Sequence, residues 1–319
     1  MSKVRSLAAR RDPDISIDVT LAEGADSPPL WRYSIGLRQE PRGYRQPYLT
    51  HERVWHQKRK ILNRPEEQDE LDRDRLTQTF LEQINTNSGF RDIVRFFQGV
   101  TYLHLVPQLL RFADSMQGRI LEDDPFGQGF LERVAKANEK TRRSRLLIVE
   151  KALKIAVPQL EQLEFMRDPV TGRPHLQALY SHWRPKAGLQ REDQFSDGTL
   201  RLISLLWSLL EGDSLLLLEE PELSLNAGIV SQMAPLIASI QKNRRRQVIV
   251  STHSDALLTE GGIDGREVLV LSPAIEGTEV KVAADIEEVK TLLESGFTVG
   301  EVVLPRTKPP EAGRFSSLE

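Results

Sequence analysis

The chain has 319 residues, 39% hydrophobic and 28% charged, which is room for one large α/β domain or a domain with a sizeable insertion, and which excludes global disorder. Lys and Arg total 43 against 46 Asp and Glu, a net charge of −3, so any nucleic-acid contact must come from local patches or from a partner. No cysteine is present, which removes disulfides, thiolate metal sites and cysteine nucleophiles, and suits a reducing compartment.

No apolar run approaches the length of a membrane span. The start, MSKVRSLAARR, is basic but has no apolar stretch after it, so it does not read as a secretory signal. A cytoplasmic location is expected.

In chain order, Ile15, Ile17, Val19 and Leu21 alternate with polar residues, and Trp31, Tyr33, Ile35 and Leu37 repeat the pattern. The turn cluster GADSPP (24–29) separates them, which predicts a half-buried antiparallel pair. Residues 63–75 are almost wholly charged and read as an exposed loop or helix start. Val100 to Leu105 is the next apolar extended run. From about Pro125 to Leu163 the composition turns helical, with Leu146, Ile148, Val149, Leu153, Val157 and Leu160 at three- and four-residue spacing and Pro158 expected to kink or end the helix. RDPVTGRPH (167–175) is a turn or hairpin tip.

The last third alternates helices with short apolar bursts. Helices are predicted over Thr199–Leu210, about Asn226–Gln241 and near Asp255–Leu258. The bursts are Leu215–Leu218, Val248–Val250 and Val268–Leu271, which read as strands of a parallel sheet buried on both faces. Asp285 with Glu288 has the pattern of a capping box, and Gly296 that of a helix stop.

Three elements are candidates for chemistry, although taken singly they also read as an ordinary helix cap, two exposed glutamates opening a loop and a structural histidine. In FSDGTLR, Ser196, Asp197, Gly198 and Thr199 precede an apolar helix; such a cluster caps the helix and leaves amides free at its positive end, where a phosphate is favoured. In LLLLEEPE, Glu219 and Glu220 fall at the carboxyl end of a buried strand, where α/β sheets place ligands. Adjacent carboxylates there can divide labour between Mg²⁺ and an attacking water. In VIVSTHSD a second buried strand ends at His253, among hydroxyl residues suited to a γ-phosphate.

Taken in order and separation, these elements resemble the ABC-type ATPases, in the branch with SMC, RecF and OLD-like proteins, and among them the AAA-family ATPases of bacterial defence operons. FSDGTLR resembles the signature motif, LLLLEEPELSL the Walker B strand and D-loop, and VIVSTHS the switch-histidine loop. The resemblance covers roughly residues 190–275. It implies ATP and Mg²⁺ as cofactors, with Glu219 serving Mg²⁺, Glu220 as general base and His253 as γ-phosphate switch. Ser196 and Gly198, flanked by Asp197 and Thr199, would face a nucleotide held by a second subunit. Leu225–Asn226 would lie in the D-loop, with Asn226 where the family often has histidine.

The family's P-loop, Gly-x-x-x-x-Gly-Lys-Ser/Thr, cradles phosphates with backbone amides and reaches them with its lysine. In these 319 residues no lysine follows a glycine. Two explanations stay open: the protein begins upstream of Met1, which the intact downstream motifs favour, or it is a natural variant without the loop.

The triplets Glu279–Lys281 and Glu288–Lys290 match a nuclease fragment, but at 28% charged residues such triplets arise by chance. The basic runs 58–60, 142–145 and 243–246 are candidates for phosphate-backbone contact, though such runs usually form solvated faces. The expected architecture is an ABC-ATPase-like α/β fold lacking its first strand and P-loop. Its antiparallel β subdomain would span 1–107, a helical insertion 108–190, the parallel core 191–305 and a polar tail 306–319. The implied function is ATP binding and hydrolysis at a head-to-tail homodimer interface, coupled to DNA or to an operon-encoded effector such as a nuclease or Toprim-like protein. A non-hydrolysing scaffold or regulatory subunit is the alternative. A membrane-transporter subunit fits less well, because its signature would read closer to LSGGQ.

Overall fold

The computed structural model describes residues 14–24, 26–40, 42, 45–112, 124–184, 188–275, 277–309, 311, 313 and 314. The basic start and part of the polar tail lie outside them. The chain divides into two compact units, one comprising residues up to Gly99 with Leu271–Val280, the other Val100–Val270 with Lys281 onward.

In the first unit, β1 (Ile15–Leu21), β2 (Trp31–Gln39), β3 (Pro47–His56) and β4 (Arg59–Arg64) form an antiparallel meander in sequential order. The alternation of apolar and polar residues sets its register, with Val19 opposite Tyr33 and Tyr33 opposite Val54. One face packs Trp31, Tyr33, Ile35, Leu49, Val54 and Leu62 against Phe80, Phe90, Ile93 and Val94. Short α1 (Glu67–Leu71) and α2 (Arg91–Gly99) complete the unit.

Residues 63–75 depart from their expected exposure. Arg64 and Asp69 are fully buried, and every donor of the Arg64 guanidinium is used. It donates to Asp69 at 3.0 Å through Nε and Nη2, to Glu52 at 2.8 Å, and to the carbonyls of Gln78 and Arg75 at 3.0 and 2.8 Å. Glu52 also accepts from the Tyr33 hydroxyl and the Phe80 amide. Charge here is internal, because each charged group has its partner inside.

The second unit holds β5 (Thr101–Leu103), α3 (Pro107–Arg111), α4 (Phe130–Lys136) and α5 (Glu139–Ala156). Asn138 caps α5, and the helix stops two residues before Pro158. The segment expected to be helical over 108–190 then turns to strands: β6 (Leu160–Arg167), β7 (Pro174–Tyr180) and β8 (Leu189–Arg191) form an antiparallel sheet. Leu160 and Leu163 are strand residues with buried side chains, so the helical spacing was carried one proline too far. The 167–175 turn is the hairpin tip between β6 and β7.

Next come α6 (Asp197–Leu210), β9 (Leu216–Glu219), α7 (Ala227–Val230), α8 (Met233–Arg244), β10 (Val248–Ser251) and α9 (Asp255–Leu258). The single helix expected from Asn226 is thus two, separated at Ser231 and Gln232. Strands β10, β9 and β5 form a parallel sheet in that order. All residues of α6 from Thr199 to Leu210 are buried. Leu200, Ile203, Leu206 and Trp207 join the core shared with α4, α5 and β7, whereas Leu205 and Leu209 join the core beneath the parallel sheet.

The chain ends with β11 (Leu269–Ala274), β12 (Gly277–Val282), α10 (Glu287–Glu294) and α11 (Val299–Thr307). Contrary to expectation, β11 is not a strand of the parallel sheet. Among the described residues it pairs with β12 alone, and Leu269 and Leu271 are more than half exposed. Asp285 lies in a 3-10 turn and makes no cap, since α10 starts from Ile286 without a side-chain cap bond. Gly296 does end that helix, at φ 93°.

Candidate functional site

The site lies at the carboxyl end of the parallel sheet in the second unit. Ser251 of β10 stands opposite Glu219 of β9 in the parallel register, and the Glu220 amide donates to the Ser251 carbonyl at 3.0 Å. The strand ends therefore hold the acidic pair and the segment leading to His253 side by side. Glu220 leaves the strand with φ 42°, a left-handed conformation that a non-glycine residue rarely adopts. Strain of this kind concentrates where a side chain must be aimed rather than packed.

The two glutamates differ in surroundings. Glu219 accepts a hydrogen bond from the Tyr102 hydroxyl on neighbouring β5, and that bond holds the phenol's proton above its usual range. Glu220 has no such side-chain bond among the described residues and is half-buried. His253 is exposed at the end of β10.

Behind the pair, Glu222 is buried and accepts from the Thr252 hydroxyl, which also accepts from the Ser254 amide at 2.9 Å. Its other oxygen has no partner among the described residues. Glu222 thereby ties the loop after β9 to the loop that carries His253.

The segment Phe195–Thr199 caps α6. Ser196 accepts from the Thr199 amide at 3.1 Å, and the two hydroxyls bond at 2.9 Å. The Asp197 carboxylate does not project freely: Arg111 donates to it at 2.7 Å and Gln108 at 2.6 Å, both from α3. Arg111 also donates to the Phe195 carbonyl at 2.6 Å, so α3 clamps the loop from inside the subunit. A Cβ on Gly198 would sit 2.6 Å from the Ser224 carbonyl oxygen. Only glycine lets the signature loop lie this close to the backbone after β9, where Ser224 itself has φ 63°. Asn226 caps α7, accepting from the Gly228 amide at 2.9 Å.

Ser196, Gly198, Glu219, Glu220 and His253 thus belong to one compact unit, but their closest neighbours were not all legible beforehand. Tyr102 has no local signal and reaches Glu219 only through the pairing of β5 with β9. Arg201 is 6% exposed, one helical turn beyond Asp197, and its Nε and Nη1 have no partner among the described residues. Burial pulls its guanidinium below the ordinary range, against the attraction of Asp197, Glu222 and Glu220. The Glu222 signal was present in the motif EEPE, but charge alone did not distinguish it from a loop residue.

The family comparison identifies the class: residues 2–259 match the model described as "AAA domain, putative AbiEii toxin, Type IV TA system", and the chain belongs to that family. No curated protein matches it. Among solved structures it is similar to an Smc head bound to the C-winged helix domain of ScpA, at 14% identity over 86% of this chain and 76% of that one, with a TM-score of 0.43. The SMC head domain from Thermotoga maritima is 11% identical over 85% and 74%, TM-score 0.38. An ATP-binding cassette of an ABC transporter in its ADP conformation is 12% identical over 77% and 84%, TM-score 0.32.

Proposed function

We propose that this domain works in ATP binding and hydrolysis at a head-to-tail dimer interface, and passes the resulting change to DNA or to a partner effector. The observation that carries the proposal is the register of β9 and β10, which sets Glu219 and Ser251 side by side and so brings the acidic pair to the segment before His253. In this assignment Glu220 takes the proton of the attacking water, and its strained, half-buried position suits a carboxylate free of other bonds. His253, exposed two residues after β10, reports on the γ-phosphate. Thr252 and Glu222 hold the histidine loop to the Glu220 loop, so movement of one is felt by the other.

Mg²⁺ would supply charge neutralisation of the phosphates. Among the described residues no cluster of three or more His, Asp or Glu side chains is arranged to hold a metal. Glu219 fits the usual magnesium requirement of one or two carboxylates with the remaining ligands from phosphate and water. The ion would therefore arrive with the nucleotide rather than reside in the protein.

Ser196 and Gly198, at the positive end of α6, are assigned to the γ-phosphate of the opposite subunit. Asp197 and Thr199 support them, Asp197 by fixing the loop to Arg111 and Thr199 by closing the cap. The alternative role, a non-hydrolysing scaffold that keeps the dimer surface, is favoured by one specific observation: no lysine follows a glycine in these residues. Both roles share an expectation for the chain itself. Without the amide cradle and its lysine most phosphate-binding energy is missing, so titration calorimetry with ATP and Mg²⁺ should give a dissociation constant of about 100 μM or weaker. Tight, Mg²⁺-dependent binding to residues 1–319 would overturn the site assignment.

A further inference from the structure

Three basic runs stand out in the sequence, and the structure separates them. Arg246, from the run 243–246, is 3% exposed and donates at 2.6 Å to the carbonyls of Ser208, Glu211 and Ser214, joining α6 to β10. From the run 142–145, Arg142 lies 4.2 Å from the Phe165 ring and bonds the carbonyls of Ala135 and Ala137, while Arg145 lies over Trp207. These cations serve the fold. The run 58–60 is different, because it belongs to the open face of the meander in the first unit.

On that face the register aligns Thr20, Arg32, Trp55 and Lys60 in one row across all four strands, and Asp18, Ser34, Arg53 and Asn63 in the next. A groove of about 410 Å³ is lined by Asp18, Thr20, Arg32, Trp55, Gln57 and Lys58, with Pro29 at its edge. Each acid of this face already has a basic partner: Asp18 binds Arg32 at 2.7 Å and Asp14 binds Arg38 at 2.9 Å. Among the described residues Arg53, Lys58 and Lys60 have no carboxylate in salt-bridge reach. The field left on the face is therefore positive although the chain as a whole is acidic. His51, in the next row, is pushed below the ordinary histidine range by its burial and by Arg53.

The kind of anion follows from Trp55. Arg32 from β2 lies 4.9 Å from its ring centre and Lys60 from β4 lies 5.3 Å from it. Both cations lie over the ring, which aligns them along the row. Exposed, regularly spaced cations without carboxylate partners suit a phosphodiester backbone read without regard to sequence.

We propose that the open face of the β1–β4 meander, through Arg53, Lys58 and Lys60, binds the backbone of double-stranded DNA. This surface lies in the first unit and needs no nucleotide, so it stands or falls separately from the ATPase assignment.

The test is fluorescence anisotropy of a short labelled duplex of mixed sequence, titrated with the full chain in the absence of ATP. Three phosphate contacts predict that log K falls with log salt at a slope of about −2.7, which is about a 40-fold loss of affinity between about 50 and 200 mM salt. Arg53→Glu with Lys58→Glu should weaken binding at least about tenfold at the lower salt and flatten the slope to about −1. Lys58→Gln alone, on the exposed hairpin turn, should flatten it by about one unit, which keeps the test valid if the double variant folds poorly. Arg143→Glu, on an exposed position of α5, should change neither quantity. Unchanged binding in the Arg53 and Lys58 variants would overturn the proposal. So would tighter binding to a single-stranded oligonucleotide or to anionic phospholipid vesicles than to the duplex.

Discussion

Arg64 and Asp69 illustrate how misleading local composition is at the scale of a residue. Residues 63–75 are nearly all polar, and composition predicts a solvated segment. What composition cannot convey is that Glu52, eleven residues upstream of the run, supplies a buried partner from the next strand. Burial alone would raise the Asp69 carboxyl, but Arg64, the Glu66 amide and Arg75 hold it down to about 2. A folded pKa below the ordinary 3.8 means stability that is fully present above about pH 4 and is lost as pH falls toward 2. Denaturant titrations followed by tryptophan fluorescence should show that loss. Replacing Arg64 with Met should cost about 3–5 kcal/mol at pH 7, because Glu52 is left buried without its cation and Asp69 keeps only Arg75. A loss below about 1 kcal/mol would mean the network is open to water.

At the scale of elements, α6 was the most legible because its residues are apolar on nearly every side, which favours burial. The structure accordingly threads it between two cores, and Leu206, 2% exposed, packs with Trp207 and Phe130 in one of them. Leu206→Ala should destabilise the protein by about 2–5 kcal/mol in a denaturant titration. A change below about 1 kcal/mol would place the helix at the surface.

Elements at the margins were less legible for a physical reason. Leu160 and Leu163 have helical spacing, and both are buried from a strand only because the pairing of β6 with β7 is irregular between Leu160 and Gln162. Val268–Leu271 is as apolar as the Val248–Val250 burst, yet among the described residues β11 finds a partner only in β12. The acidic pair and the histidine loop were legible because strand ends impose their placement. Tyr102 and Arg201 were not, since each acquires its neighbours through contacts distant in sequence.

At the scale of the whole molecule, the family and the α/β architecture rest on residues 2–259 and on the observed sheets. The catalytic assignment rests on Glu220 and its left-handed backbone at the end of β9. Turnover is the direct measure of that assignment, in a version of the chain that carries a strand and a Gly-x-x-x-x-Gly-Lys-Ser/Thr loop ahead of Met1. That version should hydrolyse ATP and dimerise with it. Glu220→Gln should bind ATP equally well and dimerise, while its turnover falls at least about 100-fold, the range expected for removal of a general base. Equal turnover in the variant would contradict the account, and Glu220 would not be the base.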